Sequence, residues 1–370
     1  MRVGVVAYEL EGEATGVGRY LEGLLSGVSP SADWMFRLFC HGRPFEHPLF
    51  DRPDVEPQFA GREGRPWLWE QIELPELLAQ HSLDLVFSPA YSLPGRLREP
   101  GVVTLHDLSF ERLPGEFGPR ERWRRRLLAR SAARRAARVL VDQAAIAREV
   151  AALYGLPRLR IGVVPLAVDA RFQPSHDPAA DRRELLALGV EPPYWLFLGS
   201  LLERRRLDLV LAALAPVAAQ RPELRLVLAG ANRLRRPESL GEQVQALGLG
   251  GRVQALGYVP EGSLLPLYRG AELAFYLSEY EGYGLPPLEA LASGTAVVVG
   301  PGLALDDLWP GYPLRAAELS VGAVQKVVTQ AADSAWLGGV AEEGRRRVAA
   351  LTWAHAATLW QAELERAVAP

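Results

Sequence analysis

Short runs of valine and leucine alternate along the chain with longer segments of helical periodicity. In the first half these runs predict strands at Val3–Ala7, Met35–Cys40, Asp84–Ser88, Gly101–Leu105, Arg138–Val141 and Arg160–Val164. Segments with apolar residues three or four positions apart predict helices at Val17–Ser26, Pro66–Gln80, Pro119–Ala137 and Gln143–Tyr154. This alternation is typical of βαβ units, in which helices connect parallel strands.

The alternation stops between Asp169 and Pro193, where several prolines surround a short helical pattern and indicate a link between domains. It resumes with predicted strands at Tyr194–Gly199, Leu224–Ala229, Arg252–Leu256, Glu272–Leu277 and Thr295–Val299, and with helices that include Leu207–Gln220, Pro287–Ser293 and Trp353–Val368. We therefore predict an α/β fold with two Rossmann-like, doubly wound domains, residues 1–170 and 171–352. Residues 353–370 are predicted to form a helix that crosses back to the first domain.

Composition narrows the function classes. A length of 370 residues exceeds one usual domain, and a formal net charge of -3 argues against a dedicated nucleic-acid binder. The single cysteine, Cys40, excludes an internal disulfide framework and a thiolate-rich metal site. The chain has no apolar stretch of about 18 residues, and its first residues are typical of a strand rather than a signal peptide. These features predict a cytoplasmic protein.

The most informative segment is residues 278–300, in which Glu281 and Glu289 flank a glycine-containing loop. The loop residues are Gly282, Tyr283, Gly284 and Leu285. Glycines let the backbone approach a ligand, and amides at the start of the following helix favour an anion such as a diphosphate. The two carboxylates can accept hydrogen bonds from hydroxyl groups. The competing interpretation is a tight turn with two solvated glutamates.

This segment resembles the motif of the retaining family 4 glycosyltransferases of the GT-B fold, which carry two glutamates around a Gly-aromatic-Gly-Leu-Pro loop. The resemblance implies two domains facing each other across a cleft, with no metal at the site. It also implies that Glu281 positions the transferred sugar, that Glu289 holds the ribose, and that amides of Gly282–Leu285 bind the diphosphate.

A basic loop begins with Gly199 and Ser200 and resembles the family's diphosphate-gripping loop, which usually contains arginine followed by lysine. Carried over by position, the gripping residues are Arg204 and Arg205. Two guanidinium groups would neutralise charge on the leaving diphosphate, although a planar guanidinium at 205 differs from a lysine point charge. A solvated basic turn is the alternative.

Two glycine-containing turns complete the resemblance on the nucleotide side. Tyr258, Val259 and Leu264 resemble the nucleobase-binding turn, although an ordinary strand-to-helix loop fits nearly as well. Gly16 and Gly18 resemble the family's N-terminal glycine loop; the alternative is a helix start that packs tightly on the sheet. A dinucleotide fingerprint is rejected because the third glycine of Gly-x-Gly-x-x-Gly is absent.

His106 and Asp107 follow the predicted strand Gly101–Leu105 and resemble the family's residues beside the reacting sugar. His106 would contact the donor sugar or the acceptor, and Asp107 would either orient the imidazole ring or cap the next turn. A purely structural histidine is the alternative. Further along, Asp142 stands where the family often has serine, so a hydroxyl contact there is not expected.

Tyr8, Arg19 and Tyr91 are further candidates to line an acceptor pocket. The segment Arg120–Arg138 is rich in arginine and predicts a basic amphipathic helix. Such a helix can lie on anionic lipid, but the pattern slightly favours the alternative, an arginine-rich solvated face that packs its alanines on the sheet.

These features predict a retaining hexosyltransferase that uses no cofactor and moves mannose or glucose from a nucleotide-diphosphate donor, GDP-mannose or a UDP-sugar, to a glycan or lipid-linked acceptor. Two alternatives remain from the sequence. One is a nucleotide-sugar epimerase of the same fold, and the other is a catalytically silent subunit that binds a membrane or a partner.

Overall fold

The computed structural model describes residues 1–12 and 15–369 and divides the chain into two units. Unit 1 comprises residues 1–167 together with the segment from residue 351 onward, and unit 2 comprises residues 168–350. The predicted domain boundaries were residues 170 and 352, a few positions later in each case.

Unit 1 is built on a parallel sheet. Its described residues form seven strands in the order β3-β2-β1-β4-β5-β6-β7. The strands are β1 (Arg2–Val6), β2 (Met35–Cys40), β3 (Val55–Phe59), β4 (Leu85–Ser88), β5 (Gly101–Thr104), β6 (Arg138–Val141) and β7 (Ile161–Val163). The central strands β4 and β5 are buried along their whole length, as expected for a parallel sheet covered on both faces.

The helices of unit 1 cover both faces of this sheet. They are α1 (Gly16–Gly27), α2 (Pro66–Ile72), α3 (Leu74–Leu78), α4 (Ser109–Arg112), α5 (Pro119–Arg135), α6 (Ala144–Tyr154) and, from the end of the chain, α15 (Trp353–Val368).

Two predictions for unit 1 were wrong. Strand β3 was missed because its sequence, Val-Glu-Pro-Gln-Phe, has no apolar run; a proline is tolerated there because β3 lies at the sheet edge. The single helix predicted at Pro66–Gln80 is two helices that meet at Glu73. Pro75 lacks an amide hydrogen and so cannot continue the hydrogen-bond ladder of α2.

Helix α15 packs against α1 at very short range. A Cβ atom added at Gly23 would overlap the indole ring of Trp353, and one at Gly27 would overlap the Trp353 carbonyl. Trp360, on the same helix, is fully buried and stacks on Phe36 with ring centroids 5.6 Å apart. The two glycines of α1 therefore allow the end of the chain to seat its aromatic side chains in the core of unit 1.

Unit 2 repeats the same plan with fewer strands. Its described residues form five parallel strands in the order β10-β9-β8-β11-β12. These are β8 (Tyr194–Leu198), β9 (Arg225–Ala229), β10 (Val253–Gly257), β11 (Leu273–Tyr276) and β12 (Val297–Val299). The accompanying helices are α7 (Pro178–Ala187), α8 (Leu207–Gln220), α9 (Ser239–Ala246), α10 (Leu264–Gly270), α11 (Leu285–Ala292), α12 (Ala304–Leu308), α13 (Val321–Gln330) and α14 (Ser334–Val348).

Each sheet reverses its strand order at one point. In unit 1 the reversal lies between the adjacent strands β1 and β4, and in unit 2 it lies between β8 and β11. The loops leaving the carboxyl ends of two such strands diverge and leave a crevice, which is where open α/β sheets bind ligands. The strand order therefore predicts that ligands bind at the loops after β1, β4, β8 and β11.

Candidate functional site

Glu281 and two arginines form a half-buried cluster at the reversal point of unit 2. Glu281 lies in the loop after β11, and Arg204 and Arg205 lie in the loop after β8. Glu281 Oε1 is 3.7 Å from Arg204 Nη2 and 3.4 Å from Arg205 Nε, and it accepts a 3.1 Å hydrogen bond from Ser278 Oγ. The two arginine side chains are each 15% exposed and that of Glu281 12%. The structure thus brings Glu281 together with two consecutive arginines that are distant from it in sequence.

The backbone of the two loops fixes this cluster. The Glu279 amide donates to the Arg204 carbonyl at 2.8 Å, and Arg205 Nη1 donates to the Ser200 carbonyl at 3.2 Å. Gly199 has a φ of +111°, and a Cβ atom there would overlap Arg205 Nη1. The residue at 199 must therefore be glycine for the Arg205 guanidinium to fold back over the loop.

Arg205 stays charged in this environment. Burial lowers its pKa, but the nearby Tyr276 and Glu281 outweigh that effect, so the pKa of Arg205 is raised. Its guanidinium carbon lies 5.4 Å from the centroid of the Tyr276 ring, a cation–π distance. Burial also raises the pKa of Tyr276, with a further contribution from Glu281, so Tyr276 is neutral at physiological pH.

The third arginine of the basic loop points elsewhere. Arg206 adopts a left-handed conformation with φ 48° and pairs with Asp208 at 2.8 Å and with Glu279 at 3.5 Å. The cluster around Glu281 therefore contains the two arginines expected from the sequence and not the third.

Helix α11 begins earlier than predicted. The expected start was near Pro287, which would put Glu289 in the first turn, but the helix starts at Leu285 with Gly284 before it at φ +85°. Glu289 therefore lies in the second turn, where it is 8% exposed and accepts a 2.9 Å hydrogen bond from Tyr268 Oη. The loop Gly282–Leu285 still leads from Glu281 directly into the start of α11.

The candidate nucleobase turn follows β10, an edge strand of unit 2. Tyr258 is 78% exposed and Val259 is buried, while Leu264 is the first residue of α10. The Gly257 carbonyl accepts a 2.7 Å hydrogen bond from the Gly230 amide, which ties this turn to the loop after β9. A large exposed aromatic ring at this position offers a stacking surface to a planar ligand.

In unit 1, His106 follows β5 and both of its ring nitrogens make contacts. Nε2 is 2.9 Å from the Pro89 carbonyl, which can only accept, so Nε2 carries a hydrogen. Nδ1 is 2.8 Å from Asp142 Oδ2. Asp142 is the residue after β6 and its side chain is 2% exposed.

Asp107 does not orient the His106 ring. Its Oδ1 accepts hydrogen bonds from the amide and hydroxyl of Ser109, at 2.9 and 2.8 Å, and so caps the turn that starts α4. Of the two roles considered for Asp107 the capping role is the observed one, and Asp142 orients the ring. From the sequence, Asp142 was named only as a departure from serine and its pairing with His106 was not predicted, although its position directly after a buried apolar strand resembles that of His106.

The Asp142 carboxylate favours the charged form of His106. Burial lowers the pKa of His106, but the Asp142 carboxylate and the Pro89 carbonyl outweigh burial, so the pKa is raised above the ordinary histidine value. A raised folded-state pKa means that the pair contributes stability below the ordinary pKa. That contribution is lost as the pH rises through the folded value.

We expect Asp142→Asn to lower the pKa of His106, because the asparagine side chain keeps the shape but removes the charge. The variant should be about 1–3 kcal/mol less stable than the wild type at mildly acidic pH, and this difference should shrink as the pH rises. The pKa is measured by NMR on ¹³C-labelled histidine, with the His106 signal assigned by its loss in His106→Gln. An unchanged His106 pKa in Asp142→Asn would contradict the pairing.

The N-terminal glycines have different surroundings. The Gly18 amide donates to Thr15 Oγ1 at 2.9 Å, and a Cβ atom at Gly18 would overlap the Glu9 carbonyl. A Cβ atom at Gly16 would meet nothing within 4 Å. The requirement for glycine at position 18 thus follows from packing at the start of α1.

The described residues of the chain form neither a membrane-spanning helix nor a group of metal-ligating side chains. No helix formed by those residues is long and apolar enough to cross a bilayer. The described His, Cys, Asp and Glu side chains form no group of three or more that could hold a metal ion.

Comparison with known families places glycosyltransferase sequence models on both halves of the chain. Residues 14–172 match the model described as Glycosyltransferase Family 4, and residues 180–305 match the model described as Glycosyl transferases group 1. The second match contains both the basic loop and the segment from Glu281 to Glu289.

Curated relatives agree with these models. A D-inositol 3-phosphate glycosyltransferase of Nocardia farcinica is 36% identical over 167 residues, which cover 44% of this chain and 37% of that protein. The chain therefore aligns with little more than a third of that relative. The O-antigen chain mannosyltransferase B of Escherichia coli is 27% identical over 366 residues, covering 93% of this chain and 94% of the relative.

Solved structures share the fold at low sequence identity. Sucrose-phosphate synthase from Thermosynechococcus elongatus superposes with a TM-score of 0.76 at 21% identity, over 99% of this chain and 98% of the other. The Anabaena protein HepE, in complex with UDP and glucose, superposes with a TM-score of 0.73 at 17% identity, over 99% of both chains. The predicted α/β fold class is confirmed by these likenesses.

Proposed function

We propose that this chain, whose two halves match the Family 4 and group 1 glycosyltransferase models, is a family 4 glycosyltransferase of the GT-B fold that transfers a hexose from a nucleotide-diphosphate donor to a glycan or lipid-linked acceptor. The observation that carries the proposal is the Arg204–Arg205–Glu281 cluster at the reversal point of the unit 2 sheet. Two neighbouring guanidinium groups supply the charge-assisted hydrogen-bond donors that a diphosphate site requires.

In this proposal the donor diphosphate lies against Arg204 and Arg205 and against amides of Gly282–Leu285 at the start of α11. Glu281 keeps the two guanidinium groups in place before the donor binds and then accepts a hydrogen bond from a hydroxyl of the sugar. Glu289 holds the ribose, with Tyr268 fixing its carboxylate. Tyr258 offers its exposed ring to the nucleobase.

Transfer is proposed to proceed with retention at the anomeric carbon. The bond from that carbon to the diphosphate oxygen breaks as the acceptor oxygen bonds on the same face. The acceptor proton passes to the departing phosphate oxygen. Arg204 and Arg205 stabilise the charge that develops on the leaving diphosphate, so the protein supplies fixed positive charge where it is needed. We propose that the reaction does not depend on a metal.

The donor we favour is GDP-mannose, with a UDP-sugar as the second candidate. The full-length likeness to a mannosyltransferase of O-antigen chains supports mannose. The likeness to a structure that holds UDP and glucose supports a UDP-sugar.

The test is release of nucleoside diphosphate from a panel of GDP-, UDP-, ADP- and dTDP-sugars, with EDTA present. The expected result is release from one donor, faster when an acceptor is added. Absence of release and of binding for every donor would indicate a silent binding subunit instead. Conversion of the sugar without loss of the nucleotide would indicate an epimerase, and a strict need for metal would contradict the proposed mechanism.

We also propose that unit 1 contacts a membrane surface through helices α5 and α2. Trp123 and Leu127 of α5 are 67% and 52% exposed, and both line a groove of about 540 Å³ that also includes Trp67, Arg120 and Arg124. Exposed aromatic and aliphatic groups beside arginines match the interface between lipid headgroups and chains.

Part of the charge on α5 serves the fold, as the alternative interpretation expected. Arg126 and Arg130 both pair with Glu111, whose side chain is 6% exposed, at 2.6 and 3.1 Å. Arg135 donates to the carbonyls of Leu93 and Pro94. The proposed contact therefore depends on the groove residues rather than on the total charge of the helix.

The double variant Trp123→Ser, Leu127→Ser should bind vesicles containing phosphatidylglycerol about tenfold more weakly than the wild type, because two apolar anchors are lost. Binding is measured by co-sedimentation. Leu159→Ser is the matched control, because Leu159 is 87% exposed in the same unit but belongs to neither helix. If the double variant bound these vesicles as tightly as the wild type, that result would contradict the proposed membrane contact.

A further inference from the structure

A buried carboxyl group in unit 1 is linked to two hydroxyl groups from different parts of the chain. Glu70, on α2, is 0% exposed. Its Oε2 accepts hydrogen bonds from Ser92 Oγ at 2.8 Å and from Tyr8 Oη at 3.3 Å. Gln71 Nε2 lies 3.4 Å from the other oxygen, Oε1. Tyr8 was named from the sequence only as a candidate to line an acceptor pocket, and no role has been assigned so far to Glu70, Ser92 or Gln71.

This cluster occupies the same place in unit 1 that the Glu281 cluster occupies in unit 2. Tyr8 follows β1 and Ser92 follows β4, and these are the adjacent strands at which the unit 1 sheet reverses its order. Open α/β sheets bind ligands at that position. Tyr91, next to Ser92, has a φ of 53°, which is uncommon for a residue other than glycine and recurs at ligand sites.

The loop after β4 joins this cluster to His106. The Pro89 carbonyl of that loop contacts His106 Nε2, and Ser92 of the same loop bonds Glu70. The rings of Tyr91 and His106 have centroids 6.0 Å apart. One short loop therefore lies between two buried acids, Glu70 and Asp142, both of them at the carboxyl edge of the sheet.

The charge around Glu70 selects against an anionic ligand. The charged groups that face it are Glu9, from the turn that carries Tyr8, and Arg135 of α5. The Arg135 guanidinium is occupied by the carbonyls of Leu93 and Pro94. Tyr8 is partly exposed, whereas Glu70 and Ser92 are buried, so Tyr8 is the member of the cluster that a ligand can touch.

We propose that Tyr8, held by Glu70 and Ser92, binds an uncharged hydroxyl group of the acceptor. This inference rests on the proposed transferase function and deepens it by assigning an acceptor subsite. Tyr8 is the contact residue and Glu70 is a positioning residue. When Glu70 is ionised, Tyr8 donates its hydrogen to Glu70 and turns its oxygen lone pairs to the ligand. A hydroxyl group polarised in this way is a strong acceptor for a sugar hydroxyl.

Protonation of Glu70 should weaken this subsite. Burial raises the pKa of Glu70 to about 7; hydrogen bonds from Ser92 and Tyr8 lower it, Glu9 raises it, and Arg135 lowers it. Below that pH the carboxyl group no longer draws the Tyr8 hydrogen inward. The acceptor KM should therefore rise as the pH falls through neutrality.

The first experiment needs no acceptor. Infrared difference spectra between about pH 6 and about pH 8 should show a protonated carboxyl band that disappears as the pH rises, and Glu70→Gln should lack it. The thermal midpoint of Glu70→Gln should exceed that of the wild type at the higher pH, where ionised Glu70 is costly, and this advantage should fade on acidification. No titration of a carboxyl group in this range would contradict the assigned role of Glu70.

The second experiment measures transfer and donor hydrolysis together. The probes are mannose, methyl α-mannopyranoside, glucose and myo-inositol, with the donor found in the nucleotide-sugar panel. With the best of these acceptors, the ratio of transfer to hydrolysis should fall about tenfold in Tyr8→Phe, the loss expected for one good hydrogen bond. Glu70→Gln should remove the pH dependence of acceptor KM near neutrality. Tyr154→Phe, which removes a buried hydroxyl on α6, is the matched control.

The outcomes separate this inference from the function it rests on. A protein that hydrolyses no donor would refute the proposed function itself. A wild type that hydrolyses its donor but transfers to none of the four probes would contradict a subsite for sugar hydroxyls, and so would an unchanged transfer-to-hydrolysis ratio in Tyr8→Phe.

Discussion

Glu281→Ala should lower kcat by about 100- to 1,000-fold, the cost of removing a group that organises charge around a developing transition state. Glu281 is the acid that Arg204 and Arg205 share, and without it two half-buried cations repel each other and lose their fixed positions. The contact proposed between Glu281 and the sugar would be lost as well. The affinity for free nucleoside diphosphate should change much less, because both arginines remain.

The measurement is steady-state release of nucleoside diphosphate, together with calorimetric binding of the diphosphate alone. Glu279→Ala is the matched control: Glu279 lies in the same loop, its side chain is 45% exposed, and it pairs with Arg206 rather than with the cluster. Glu281→Gln should lie between wild type and alanine, since it keeps an accepting oxygen but no charge. Near-normal turnover in Glu281→Ala would show that Glu281 has no role in catalysis.

Arg205→Ala should weaken binding of nucleoside diphosphate by about 100-fold, as loss of charge-assisted hydrogen bonds to a diphosphate is worth about 2–3 kcal/mol. Turnover should fall further, because negative charge grows on the leaving diphosphate during transfer. Arg205→Lys should recover part of the binding but not the geometry, since the Arg205 guanidinium bridges the Ser200 carbonyl and Glu281.

Arg206→Gly provides the comparison for Arg205→Ala. It removes the neighbouring positive charge at a position whose left-handed backbone suits glycine, so it adds no backbone strain. Equal losses in the two variants would mean that the loop acts through net charge alone and that Arg205 has no specific contact with the diphosphate.

The sequence predicted the fold because local pattern and tertiary role agree in most elements. Buried parallel strands such as Leu85–Ser88 and Val297–Val299 are short apolar runs bounded by turns, so they are recognisable without knowledge of their neighbours. Strand β3 is not recognisable in that way. Its polar residues and Pro57 are acceptable only because β2 pairs with one of its edges and nothing needs to pair with the other.

The residues of the candidate site could be predicted where they belong to a recognisable motif within one short segment of the chain. Glu281 and the arginines stood out because each lies in a motif of its own loop. Asp142 and Glu70 did not stand out, since each acts through a residue far away in sequence: Asp142 through His106, and Glu70 through Tyr8 and Ser92. Such pairs become visible only when strand order brings the ends of β1, β4, β5 and β6 to one edge of the sheet.

The central claim is that the loops after β8 and β11 bind the diphosphate of a sugar nucleotide. The most direct test is a crystal structure with the nucleoside diphosphate of whichever donor the panel identifies. We expect density for the two phosphates within hydrogen-bond distance of Arg204, Arg205 and the amides at Gly282–Leu285. Phosphate density away from these residues, with the Arg204–Glu281 and Arg205–Glu281 contacts unchanged, would contradict this claim.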